Sequence, residues 1–267
     1  MKKFNYTILI LLLVSSFNFA FAGIVVVNGL SHNHDLQKGE MDKGVLIVRN
    51  NGSIPENIVI YQKDFLFNHK GESFYEEMGS TPRSNANWMI INPISFIIQP
   101  QEEVEVVYEI RIPDSDTLRG TYWSTIMVEP AVEVDTSTEE LSVSIRTVLR
   151  YAVQIVANIS SDNEVLNSNL NFLEVQLNTD GNNPRMLVDV ENTGEIMLRT
   201  QMGIHIFYPD GTSMGIFKSR RSRTYPGTSK RYVIELPKLE KGEYTSTLVA
   251  DSDNDEILGV EVPFIIN

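Results

Sequence analysis

The chain has 267 residues, no cysteine, and 22 Lys and Arg against 35 Asp and Glu, for a net charge of −13. The missing cysteines exclude a disulfide framework, thiol catalysis and lipid attachment through an N-terminal cysteine. The acidity argues against nucleic acid and anionic membranes as partners, because phosphate charge supplies the main attraction for both.

Lys2 and Lys3 precede the apolar run YTILILLLVSSFNFAFA, which closes on Ala20-Phe21-Ala22. A basic start, a short apolar core and an A-x-A ending predict a secretory signal peptide over 1–22, cleaved before Gly23. The apolar core from Tyr6 to Val14 is shorter than the roughly 20 residues that a membrane span needs. The mature chain is therefore expected in the periplasm or outside the cell, without stable membrane insertion. Its 245 residues (267 minus 22) leave room for two domains of ordinary size.

The segment GIVVVNGLSHNHD reads as a first strand and then a surface loop. His32 and His34, two apart with Asp35 beside them, have a spacing that metal sites use, but His69 and His205 lie far off. No metal site is assigned. VLIVRNNG reads as a strand ending in a turn at 50–52. The next stretch is dense in aromatics, with Phe65, Phe67, Phe74 and Tyr75, and contains RSNANW at Arg83 to Trp88. Such a segment is expected to cover one end of a sandwich, with a recognition surface as the alternative. After the turn at 98–101, VEVVYEIRI alternates: Val104, Val106, Tyr108, Ile110 and Ile112 are apolar, with Glu105, Glu109 and Arg111 between them. That is the period of a half-buried strand.

GTYWSTIMVEP, Gly120 to Pro130, carries apolar residues on both parities. Tyr122/Ile126 and Trp123/Met127 are also four apart, as on a helix. Gly120 and Pro130 bracket too few residues for a good helix, however, and Thr, Tyr, Trp, Ile and Val favour a pleated surface. The prediction is a central strand with the core on one face and something else on the other. LSVSIRTVLRYAVQIV, 141–156, alternates for sixteen residues, beyond the usual strand length of about 3–10. Its odd positions run Leu141, Val143, Ile145, Thr147, Leu149, Tyr151, Val153 and Ile155. Its even face carries Ser142, Ser144, Arg146, Arg150 and Gln154. This strand should close the first sandwich and project an apolar row toward a neighbour or the second domain. The polar SSDNEVLNSN at 160–169 reads as a linker.

Alternation returns with Met186, Val188 and Val190, with Met202, Ile204, Ile206 and Tyr208, with Tyr232, Ile234 and Leu236, and with Leu258, Val260, Val262 and Phe264. The turns YPDG at 208–211 and YPG at 225–227 separate these runs. KSRRSR, Lys218 to Arg223, is the basic cluster of an acidic chain. It reads as a solvated loop or, alternatively, as a contact for an acidic partner or anionic wall polymer. Asp251, Asp253 and Asp255 have calcium-loop spacing, but Glu256 and Val262 stand where an EF-hand needs glycine and a carboxylate. A solvated hairpin tip is the preferred reading.

Two landmarks recur in order. RGTYWSTIMVE at 119–129 matches KGEYTSTLVAD at 241–251, and VRNNG ending at Gly52 matches VENTG ending at Gly194. A leucine followed by Gly-x-Tyr suits the tyrosine corner of immunoglobulin-like sandwiches. The fold class is therefore all-β: two immunoglobulin-like sandwiches in tandem, over 23–159 and 160–267. No nucleophile elbow, Ser-x-x-Lys, His-Glu-x-x-His or phosphate loop is present, so neither an enzyme nor a cofactor is predicted.

On these residues the chain resembles the periplasmic pilus-chaperone (PapD-like) family, chiefly over 23–156. The resemblance rests on VLIVRNNG, NPISFIIQPQEEVEVVYEIRIP, GTYWSTIMVEP and the long strand, in the family's order. It implies an assembly factor that binds secreted, pilin-like subunits by strand addition at 141–156. It further implies a donor row of Leu141, Val143, Ile145 and Leu149. The family anchors a subunit's C-terminal carboxylate with an arginine on the first strand and a lysine on the long one. Here the first strand has no basic residue, and the long one offers Arg146 and Arg150. The second domain is also similar to WxL-interacting surface proteins, which implies the alternative of a surface-adhesion or cell-wall-binding protein.

Overall fold

The computed structural model describes residues 23–131, 148–160, 165–181, 183–252 and 257–266. The predicted signal peptide, all of 141–147 with the donor row up to Ile145, and the DSDNDE tip at 253–256 lie outside the described residues. The described chain is all-β apart from a 3-10 turn at Ala86–Trp88. In chain order the first ten strands are β1 (Ile24–Val26), β2 (Ser31–Leu36), β3 (Met41–Asn50), β4 (Glu56–Phe67), β5 (Ser73–Glu76), β6 (Met89–Asn92), β7 (Ser95–Ile98), β8 (Glu103–Arg111), β9 (Gly120–Pro130) and β10 (Tyr151–Ile159). They form two sheets, β1-β3-β8-β6 and β2-β10-β9-β4-β5, with β7 also on β4. The inward residues of both sheets meet in one core that includes Leu46, Ile58, Val106, Tyr108, Ile126 and Ile155.

The later strands are β11 (Leu170–Asn178), β12 (Arg185–Asn192), β13 (Leu198–Phe207), β14 (Ser213–Lys218), β15 (Ser222–Thr224), β16 (Ser229–Glu235), β17 (Gly242–Ser252), β18 (Ile257–Glu261) and β19 (Phe264–Ile266). They pair as β11-β12-β16 and β14-β13-β17-β18, with β15 on β13 and β19 on β17. A second core, with Val188, Met202, Ile204, Tyr232 and Leu248, lies between them. Two immunoglobulin-like sandwiches thus follow one another along the chain.

The repeated asparagines turn the same corner twice. Buried Asn50 donates from Nδ2 to Ile54 O and Ile98 O, and its Oδ1 accepts from the Gly52 N–H at 2.8 Å. Asn192 repeats this with Ile196 O, Thr224 O and the Gly194 N–H at 2.9 Å. In each case one amide satisfies three backbone groups that a buried turn would otherwise leave unpaired.

Three expectations change. The predicted first strand is two half-strands in different sheets, β1 against β3 and β2 parallel to β10. The chain crosses between sheets at Val27–Leu30, where Gly29 has φ +97° and Asn28 clasps β3 through Val45 O and the Ile47 N–H. SHNHD is therefore a strand and not a surface loop: His34 is buried, and its alternate neighbour His32 turns inward with it. Among the described residues of the long strand, 148–150 are not in a strand, and β10 runs from Tyr151 on to Ile159. Val153, Ile155, Ala157 and Ile159 belong to the first core rather than to a row offered outward. KSRRSR is not a solvated loop, because its middle repairs the edge of β13. The Ser219 N–H donates to Met202 O, and Ser219 Oγ accepts from the Met202 N–H. RSNANW covers the sandwich as predicted. Asn85 is buried, donates to Ile155 O and accepts from Ser124 Oγ at 2.6 Å, while Trp88 packs on Tyr122.

Among the described residues, contacts between the sandwiches include the following. On one side the Thr121 N–H donates to Glu195 O, and the Met197 N–H donates to Thr121 Oγ1 at 2.8 Å. Across the middle Trp123 stacks on Tyr225 with ring centroids 4.8 Å apart, over Val156. On the far side the His69 N–H donates to Ser229 Oγ at 3.0 Å.

Candidate partner-binding edge and cleft

Strand β10 is an inner strand for only part of its length. β9 pairs with all of Tyr151–Ile159, but β2 covers only Gln154 (opposite Ser31) to Ile159 (opposite Leu36). Among the described residues, Tyr151–Val153 have no partner on the β2 side. An uncovered stretch of strand presents backbone donors and acceptors that another chain can pair with. Just before it, Leu149 is 50% exposed and Val148 38%.

Of the residues singled out for partner binding, Leu149 and Arg150 stand at this open stretch. Leu141, Val143, Ile145 and Arg146 lie outside the described residues. The Arg150 guanidinium pairs with the Glu129 carboxylate of β9, and that hydrogen bond raises its pKa above the ordinary arginine value. Burial, reinforced by Glu129, also pushes the neighbouring Tyr61 hydroxyl up. Arg150 is thus a neutralised cation, weakened as an anchor for an incoming anion.

Below this edge the two sandwiches enclose an open cleft of about 500 Å³. Phe65, Phe67 and Tyr225 supply aromatic walls, and Arg199, Arg221, Arg223 and Lys230 supply positive charge, with Glu72 on the same lining and Arg221 paired with Asp251 at 3.0 Å. Phe67 and Tyr225 meet edge-on at 6.1 Å, and Lys230 Nζ lies 5.5 Å from the Phe67 centroid. Tyr225 Oη donates to Gln154 Oε1 at 3.1 Å, and Arg223 Nη1 donates to Ser31 Oγ at 2.7 Å. Burial is the largest influence on the Tyr225 hydroxyl and raises its pKa, with Arg223 opposing. Arg199 and Arg223 are directly opposite one another across β13 and β15, an arrangement that like charges disfavour. In so acidic a chain, this concentration of positive charge suits an anionic group.

KSRRSR marked Arg221 and Arg223, but sequence reasoning missed Arg199 and Lys230. Their only signal was cationic identity, and the pairings that gather them join distant segments. Among the described residues, no three His, Cys, Asp or Glu side chains are arranged to hold a metal ion, and no helix is long and apolar enough to cross a membrane.

No family model and no curated protein matches the chain. Solved structures do. A structure of the chaperone–tip adhesin complex of CFA/I fimbriae biogenesis matches at 15% identity, covering 91% of this chain and 98% of that one, with a TM-score of 0.50. The class 5 fimbriae chaperone CfaA matches at 16% identity over 91% and 100% of the two chains, with a TM-score of 0.46. The CsuC–CsuE chaperone–tip adhesion subunit pre-assembly complex of Acinetobacter baumannii matches at 10% identity over 90% and 98%, with a TM-score of 0.44. At such identities the likeness is one of fold, and the first of these matches carries it over nearly the whole of both chains: this chain has the two-sandwich, PapD-like fold of the fimbrial chaperone structures.

Proposed function

We propose that this chain is an exported, non-enzymatic assembly chaperone that captures secreted, pilin-like subunits by strand addition along the 141–156 segment. The observation that carries the reading is the half-covered edge of β10. Its backbone is unpaired on one side at Tyr151–Val153, directly after the half-exposed Leu149. Strand addition draws affinity from main-chain hydrogen bonds and selectivity from alternate side chains, which Leu141, Val143, Ile145 and Leu149 supply by position. The cationic cleft favours an acidic group on the same partner. Arg223 and Lys230 of the second sandwich then serve where the family resemblance implies a first-strand arginine and a long-strand lysine. The predicted signal peptide supports work in the periplasm or outside the cell.

The test is co-expression of the full chain with a pilin-like subunit encoded beside it. Replacing both Ile145 and Leu149 with serine is expected to reduce capture at least about tenfold while the melting temperature stays nearly unchanged. A large fall in melting temperature, on the order of 2–5 kcal/mol for each buried truncation, would make these residues core and retire the reading. Undiminished capture would retire it as well.

A further inference from the structure

Four polar side chains tie β2, the strand that partly covers β10, to the opposite sheet. Tyr108 of β8 lies across from Gly44 of β3, and a Cβ at residue 44 would fall 2.0 Å from Tyr108 Cζ. Glycine leaves the space through which the ring reaches β2. The Tyr108 hydroxyl lies 3.0 Å from His32 Nδ1 and 2.9 Å from His34 Nε2, and His34 Nδ1 lies 2.7 Å from Asp42 Oδ2 of β3.

The protons can be placed by elimination. Asp42 is a carboxylate, held below the usual range chiefly by its bond to His34, so His34 Nδ1–H donates to it. With that bond made by Nδ1, His34 Nε2 serves as the acceptor to which Tyr108 donates its single proton. His32 Nδ1–H donates to the Tyr108 oxygen, which leaves His32 Nε2 as a lone pair. That atom is buried and has no hydrogen-bond partner. In this arrangement the His32 ring is neutral. A proton on His32 places charge on a buried ring, a cost that the nearby Asn28 and Gly29 backbone offsets only in part.

We propose that His32, Tyr108, His34 and Asp42 form an acid-sensitive latch: protonation of His32 frees β2 from β10 and lengthens the open edge from Val153 toward Ile159. The consequence for partner capture rests on the strand-addition reading above. The groups facing the imidazoles are Tyr108 from β8 and Asp42 from β3, with each imidazole facing the other on β2. β10 presents Ile155 and Ala157, which do not titrate. Burial, the largest influence, lowers the His32 pKa below its usual 6.5, and His34 adds to the effect. The folded chain thus favours neutral His32. Its contribution is whole above about pH 6.5 and fades as the pH falls toward and through the lowered value. Gly29 and the sheet crossing at Val27–Leu30 separate β2 from β1, and its remaining side-chain ties include Ser31 to Arg223 and Asp35 to Asn158.

Hydrogen exchange on the mature chain, corrected for intrinsic rates, tests this without any partner. From about pH 7.5 to about pH 5.5, amides of 31–36 are expected to lose about tenfold more protection than those of β9. Tyr108→Phe should leave β2 poorly protected at both pH values. If that variant does not fold, His32→Gln at its partly exposed position should remove at least half of the pH-dependent loss. Equal loss in β2 and β9, or an unchanged pH response in His32→Gln, overturns the latch. Capture of a pilin-like subunit, measured alongside, separates the two ideas. Absent capture with shifting exchange sinks the chaperone reading alone, and capture with flat exchange sinks the latch alone.

Discussion

Strands β9 and β17 begin almost alike, as GTYWST and GEYTST, yet they are buried differently. β9 is buried at every residue from Gly120 to Val128, whereas β17 alternates from Tyr244 to Ser252. In both strands the tyrosine face turns into a sandwich core. In β17 the other face meets solvent, beginning with exposed Thr245. In β9 the equivalent residue is Trp123, stacked on Tyr225 of the other sandwich and donating from Nε1 to Phe65 O at 2.6 Å. A strand loses its two-residue period when a second apolar surface arrives on its outer face. The mixed parity of GTYWSTIMVEP is the trace of that surface.

The comparison breaks most sharply at Trp123. Trp123→Ala should cost about 3–5 kcal/mol in urea unfolding. Thr245→Ala, at the matching position of β17, should stay within about 0.5 kcal/mol. Equal, small effects would mean that β9 has no packed second face. The glycines come next. Gly120 has φ +79°, and a Cβ there would sit 2.1 Å from the Glu195 carbonyl oxygen, whereas the nearest atom to one on Gly242 is 4.0 Å away. Left-handed strain of about 1–2 kcal/mol and overpacking of about 1–3 kcal/mol therefore fall on Gly120→Ala, while Gly242→Ala should be nearly silent on a melting curve. The smallest contrast is between the tyrosines. The Tyr244 hydroxyl donates to Glu240 O at 3.0 Å, the corner predicted from Leu-x-x-Gly-x-Tyr. Tyr122 instead packs between Trp88 and the Arg83 guanidinium, 5.0 Å from its ring centroid, and among the described residues its hydroxyl makes no hydrogen bond. Tyr244→Phe should cost about 1 kcal/mol and Tyr122→Phe a fraction of that. The reverse order would show the corner to be shared.

Sequence period was a good guide wherever a residue's environment is set within its own strand. Val104 to Ile112 alternates in the structure as in the sequence, and Asn50 and Asn192 mark equivalent corners because each bonds backbone within a few residues of itself. It failed where the environment comes from far away. The apolar row at Val153 and Ile155 was plain, but periodicity does not say which of two apolar surfaces receives it. The covering of β10 depends on His32 facing Ile155, a parallel pairing of distant segments that no local pattern encodes. KSRRSR announced charge, but its place beside Phe67 depends on β15 pairing with β13. The open edge was legible as an alternating run and at Leu149; its limits at Tyr151 and Gln154 were not.

The His69–Ser229 contact gives the joint between the sandwiches a mechanical character. A single connection at Thr121 and Glu195 would act as a hinge, free to swing and to twist. A second fastening on the opposite side, with a stacked Trp123–Tyr225 bearing between them, opposes both motions. Widening or narrowing the cleft would first have to break one of these fastenings.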